Sequence, residues 1–224
     1  MSLQKFKVYF PFILIGFIGV MLVLTVKLIN GGARHADMDD IQHATILSPP
    51  KPLIPFTLTD QNGNPFTERN LQGKWTFLFA GYTSCPDICP PTMMLFKLAH
   101  QQFNHLGKKD VQYILLSVDP GTDTPEVLSK FVNGFDAGII GLTGSMDTIN
   151  DLTRHLGLFH MKEEVPAPAG MDHSQHTGMK PMISQINHTG SILLLSPKGE
   201  LYASFSPPIE MDHLVQTLVS ISPP

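Results

Sequence analysis

Two thiols define the chemistry open to this chain. Cys85 and Cys89 are its only cysteines, set in Gly81-Tyr82-Thr83-Ser84-Cys85-Pro86-Asp87-Ile88-Cys89-Pro90-Pro91. An apolar run, Trp75 to Ala80, leads into them and a helical pattern follows. A helix start offers unpaired N–H groups and the positive end of the dipole, and both favour thiolate over thiol. Pro90 and Pro91 suit the first turn, where no N–H is needed. A structural disulfide, or two buried apolar thiols, is the plainer reading, but a turn-like setting with no other cysteine fits it poorly.

Spacing narrows the choice. A thioredoxin-type redox pair is Cys-x-x-Cys, whereas three residues separate these sulfurs. The longer spacing keeps a reversible disulfide open and lets both sulfurs face one point from neighbouring turns. Two thiolates suit Cu(I), Zn(II) or an iron–sulfur cluster. They cannot complete a four-thiolate cluster or a closed zinc site. Either a third ligand comes from elsewhere in the chain, or the pair is purely redox.

The elements that must position these thiols follow from the pattern. The 224 residues, 42% hydrophobic, suffice for one core with extensions. A net charge of −4 without a long basic run gives no reason to expect nucleic-acid binding. Val8 to Val26 carries no charge and is long enough to cross a bilayer core of roughly 30 Å. Lys5 and Lys7 precede it, so residues 1–29 read as a cytoplasmic stub and a transmembrane anchor, with the rest outside. A cleaved signal peptide ending near Gly31-Gly32-Ala33 is the alternative, although its apolar core would be overlong. Both readings put the thiols in an extracytoplasmic compartment. No Arg-rich transit peptide precedes the anchor, which favours a bacterial inner membrane with the domain in the periplasm.

Residues 30–55, rich in Gly, Asp, His and Pro, read as a linker, and the domain proper spans 56–222. Its start alternates (Phe56-Thr57-Leu58-Thr59) into an Asn62-Gly63 hairpin turn. Strands are expected at Trp75 to Ala80, Val111 to Val118, Ile139 to Leu142, Ser191 to Leu195 and Leu201 to Phe205. Helices are expected after Cys89, after Thr124-Pro125, after Ser145 and around Met211 to Leu218. His100 and His105 fall off the apolar stripe of the first helix and are expected to face solvent. The alternation describes an α/β, thioredoxin-like sandwich with an N-terminal membrane anchor helix. Residues 161–187 fit no element and read as a Met/His-rich loop, in which Met171, His173, His176, Met179 and Met182 form an auxiliary copper-binding set or an ordinary polar loop.

Four stretches resemble the Sco/SenC family of copper proteins: GYTSCPDICP at 81–90, SVDPGTDTPEVL at 117–128, IGLTGS at 140–145 and INHTGSILLLSPKGE at 186–200. The resemblance implies a membrane-anchored, thioredoxin-like protein that serves assembly of the dinuclear copper centre of cytochrome c oxidase. It implies Cys85, Cys89 and His188 as ligands for Cu(I) and Cu(II), with His188 as the third donor. Asp87 then becomes an outer or partner-docking group, and Asp119 a turn-forming residue near the site. The implied partners are the oxidase copper-site subunit of the subunit II type and another periplasmic copper chaperone. This chain departs from the family pattern with Asn187-His188-Thr189 for Asp-His-Ser, Ser196 for an aspartate and Leu193 for an aromatic. Without a carboxylate beside it, the His188 ring is expected to be less firmly oriented.

Two functions compete: a copper metallochaperone working by ligand exchange, and a thiol–disulfide reductase that keeps the oxidase cysteines reduced, with Cys85 and Cys89 as its redox pair. A peroxidase is disfavoured, because Thr83 and Ser84 directly precede Cys85 where peroxidatic sites on this fold place a threonine three residues before the cysteine.

Overall fold

A computed structural model describes residues 20–21, 44–166 and 182–222, with side chains placed outside 162–166 and 182–185. The chain divides into two units, 1–40 and 41–224. Of the first unit only Val20 and Met21 are described; both are helical and exposed. The expected anchor otherwise lies outside the described residues, among which no helix is long and apolar enough to cross a membrane.

The second unit is an α/β sandwich around an eight-stranded sheet. Its strands are β1 (Ala44–Pro52), β2 (Thr57–Asp60), β3 (Pro65–Thr67), β4 (Trp75–Gly81), β5 (Val111–Ser117), β6 (Ile139–Thr143), β9 (Ile192–Leu195) and β10 (Glu200–Phe205), in the order β1-β10-β9-β4-β5-β6-β2-β3. The central strands β4, β5 and β6 run parallel, while β9 lies antiparallel on the other edge of β4. All seven residues of β4 are buried, as a continuous apolar run requires when both faces of a sheet are covered.

Among the described residues four α-helices complete the layers: α1 (Cys89–His105), α2 (Pro125–Phe135), α3 (Met146–Leu156) and α4 (Met211–Ile221). Period-two alternation splits β4 between the two faces. Phe77 stacks with Phe103 of α1 and Tyr113 of β5, whereas Leu78 shares a buried cluster with Leu152 and Leu156 of α3. The caps read from sequence are in place. The Thr124 hydroxyl accepts from Val127 N–H, and the Ser145 hydroxyl from Thr148 N–H. In the β2–β3 turn, Asp60 accepts from the backbones of Asn62 and Asn64 while Gly63 takes φ 83°.

Three expectations need correction. The stretch read as linker contains β1, which pairs with β10 from Ala44↔Phe205 to Ile46↔Ala203 and again from Lys51↔Leu201, across a bulge. An edge strand tolerates prolines that would break a central one, so its composition resembled a spacer. The stretch read as an irregular loop begins and ends as a hairpin, β7 (His160–Pro166) on β8 (Met182–His188), separate from the main sheet. His100 is half-buried, its ring 5.5 Å from that of Tyr113 and its Nδ1 3.0 Å from Asp136, because α2 ends beside it.

Candidate metal centre

β4 delivers the chain to the site, and α1 begins on its second sulfur. The turn between them is closed by Cys85 N–H donating to the Tyr82 carbonyl at 3.2 Å. Both cysteines are free and buried, and Cys89, the first residue of α1, is fully enclosed. Burial pushes the Cys89 thiol well above its ordinary range, with the neighbouring Cys85 and Asp123 adding to the effect. For Cys89 the expected thiolate bias of a helix start is therefore overridden by desolvation, which disfavours the charged form. A bound cation would reverse that balance by replacing the proton.

The third donor comes from the far end of β8. His188 Nε2 lies 3.6 Å from Cys89 Sγ and 3.9 Å from Cys85 Sγ. Ligand atoms of the three residues all fall within 4.8 Å of one another. Thiolate and imidazole bonds of about 2.3 and 2.0 Å to one ion would put sulfur and nitrogen about 3.5–3.8 Å apart, so the spacing suits a single metal. Burial lowers the His188 pKa below its ordinary value and keeps the ring neutral, the form that donates a lone pair.

The ring is oriented without the carboxylate that the Asp-His-Ser pattern would place beside it. Its Nδ1 faces the Thr189 carbonyl at 3.4 Å. Phe79 and Tyr82 meet it edge-on at 5.5 and 5.7 Å between ring centres. Protonation of Nδ1 towards a carbonyl leaves Nε2 as the acceptor aimed at the thiols.

The SCO1/SenC family profile matches residues 47–222. The chain belongs to the SCO1/SenC family. A candidate copper-binding protein of Stutzerimonas stutzeri is 33% identical over 189 residues, covering 84% of this chain and 85% of that protein. The copper-bound crystal structure of Arabidopsis thaliana ScoI is 30% identical with a TM-score of 0.63, over 75% of this chain and 95% of that one. BsSco, described as a member of the Sco family of cytochrome c oxidase assembly proteins with a disulfide switch, is alike in fold, at 24% identity and a TM-score of 0.57 over 78% of this chain and 95% of its own. The match spans 36% of an Arabidopsis thaliana mitochondrial SCO1 homologue and 51% of the Mus musculus one. The fold is thus the mixed α/β, thioredoxin-like fold of Sco structures.

In this Sco domain the thiol turn is fastened by a carboxylate that the sequence reading passed over. Asp123, fully buried, accepts from Thr83 N–H at 3.1 Å, Thr83 hydroxyl at 2.5 Å and Ser117 hydroxyl at 2.6 Å. Its signal is in SVDPGTDTPEVL, where it is the second aspartate, directly before the capping Thr124. Asp119 forms the turn itself: its carbonyl accepts from Thr122 and Asp123 N–H, and its own N–H donates to Ser117 Oγ. Gly81 is the other missed residue. A Cβ there would come within 2.8 Å of Cys89 Sγ and of Phe79, so only glycine lets the sulfur sit against the end of β4.

Asp87 is exposed on the turn between the cysteines. Met171, His173, His176 and Met179 lie outside the described residues, and Met182 is described only as the backbone start of β8. Tyr82 links site and hairpin: its hydroxyl accepts from Ile186 N–H at 3.3 Å, and burial raises its own pKa.

Proposed function

We propose that this protein is a copper metallochaperone that holds Cu(I) or Cu(II) on Cys85, Cys89 and His188. The convergence of two sulfurs and one imidazole nitrogen in one half-enclosed place carries the reading. It is a soft donor set, suited to Cu(I), and binding would displace the buried thiol's proton to solvent. The ion is cargo, passed on by ligand exchange to the copper-site subunit, of the subunit II type, of cytochrome c oxidase. Family membership and the copper-bound ScoI structure support the metal and the pathway. Another periplasmic copper chaperone completes the exchange chain. The domain is held in the periplasm by an inner-membrane anchor at residues 1–29, as the Val8 to Val26 run supports. A reporter enzyme active only in the periplasm, fused after Pro224, should be active; activity of a cytoplasm-only reporter there instead would remove the proposed location.

The thiol–disulfide reductase reading is favoured by one observation, that the two buried sulfurs lie within 4.8 Å of each other. His188 separates the two roles, because thiol exchange needs a thiolate and little from an imidazole. Cys85→Ser should abolish both functions. His188→Ala should cut copper binding sharply, Cu(II) most, while reduction of a model disulfide stays near wild type. Oxidase activity lost in cells carrying only His188→Ala supports delivery of bound copper, and full activity would make the protein a reductase.

A further inference from the structure

Three donors suit Cu(I), but Cu(II) prefers a tetragonal set and lacks a fourth partner among Cys85, Cys89 and His188. The hairpin supplies a second imidazole at the right place. His160, the first residue of β7, is the register partner of His188, the last of β8. Residues directly opposite in an antiparallel ribbon project to the same face, with Cβ atoms about 4.5–5.5 Å apart. The next pair outward, Phe159 and Thr189, carries the bonds: Thr189 N–H donates to the Phe159 carbonyl at 2.9 Å, and Phe159 N–H to Thr189 Oγ1 at 2.8 Å. By alternation His160 and His188 form the non-hydrogen-bonded pair, the kind with the closer side chains.

Exposure along β7 agrees with this phase. Phe159 and Met161 are 76% and 65% exposed, whereas His160 between them is half-buried, and Ile186 on the His188 face of β8 is buried. His160 stands outside the group of donors within 4.8 Å of one another, so it is not part of the three-donor set, and a side-chain rotation would be needed to bring it to the ion.

Resting on the copper-chaperone reading, we propose that His160 is a further copper ligand, recruited as a second nitrogen when the ion is Cu(II). The Cu–N bond to His160 forms as a solvent ligand leaves, with no change in oxidation state. His160 thereby makes the site favour the oxidised ion without altering how it holds Cu(I).

The test uses the full chain in detergent, loaded with one equivalent of Cu(II) or Cu(I) and compared with His160→Phe, which keeps an aromatic ring, and His160→Gln. Electron spin-echo spectroscopy of the Cu(II) form counts coupled imidazoles. The expected result is two in wild type and one in both variants, with Cu(II) affinity reduced about tenfold or more and Cu(I) affinity unchanged. Retained Cu(I) binding also reports that the variants are folded. One imidazole in all three proteins, or two in all three, overturns the proposal. Failure of the wild type to bind copper at all instead overturns the chaperone reading on which it rests.

Discussion

Asp123 holds Thr83 by two bonds at once, accepting its backbone N–H at 3.1 Å and its hydroxyl at 2.5 Å, from a loop on the neighbouring strand. Thr83 stands two residues before Cys85, so this clamp fixes where the thiol turn leaves the sheet. Asp123→Ala would strand three donors in a buried place, and should cost roughly 2–4 kcal/mol by denaturant unfolding. Asp123→Asn keeps one acceptor oxygen and should cost less. A denaturation midpoint unmoved by the alanine change would show that the clamp does not hold the turn.

Gly81→Ala tests the contact between β4 and Cys89. The added methyl would lie 2.8 Å from Cys89 Sγ and from the Phe79 ring, and 3.2 Å from Leu115. Overpacking of this kind costs about 1–3 kcal/mol, and here the yielding atom is a metal ligand. Copper affinity, measured by competition with a Cu(I) chelator, should fall together with the melting temperature. Loss of stability with unchanged affinity would place Cys89 Sγ elsewhere.

The titration directions give the metal-free protein two pH limits. Burial raises the Cys89 pKa from an ordinary value of 9.0, so above that pH the unfolded chain ionises first and stability falls as pH rises. Burial lowers the His188 and His160 pKa values from 6.5, so below that pH the unfolded chain takes up protons first and stability falls as pH drops. Metal loading should shrink the alkaline loss, because the bound thiolate carries no proton to release, and copper uptake should itself release protons. Unfolding curves of the metal-free protein from pH 5 to 10 would show a plateau between the limits. A Cys89→Ser variant that keeps the alkaline decline would assign that limit to another group.

The Met/His stretch is tested by supply. If Met171, His173, His176, Met179 and Met182 gather copper, replacing all five should lower occupancy at limiting copper. At excess copper the site should still fill, since its ligands lie elsewhere. Equal capture by both proteins at limiting copper would reduce the stretch to a connection between β7 and β8.

The sequence alone determined the thiol pair, its place between a buried strand and a helix start, and the need for a third donor. These features are local: apolar runs, caps and turn residues act over a few positions, and β4 to β6 follow their runs closely. His188 was legible only through the resemblance of its motif, since no periodicity connects it to cysteines 99 and 103 residues away. Tertiary structure alone decided the rest. Edge pairing made a strand of the proline-rich Ala44–Pro52, and hairpin register set His160 opposite His188. Chain crossing brought Asp123 beneath Thr83, 40 residues away. The deepest reversal concerns Cys89, for which enclosure outweighs the helix end. Burial depends on every element packed around the sulfur, and no window of sequence contains them all.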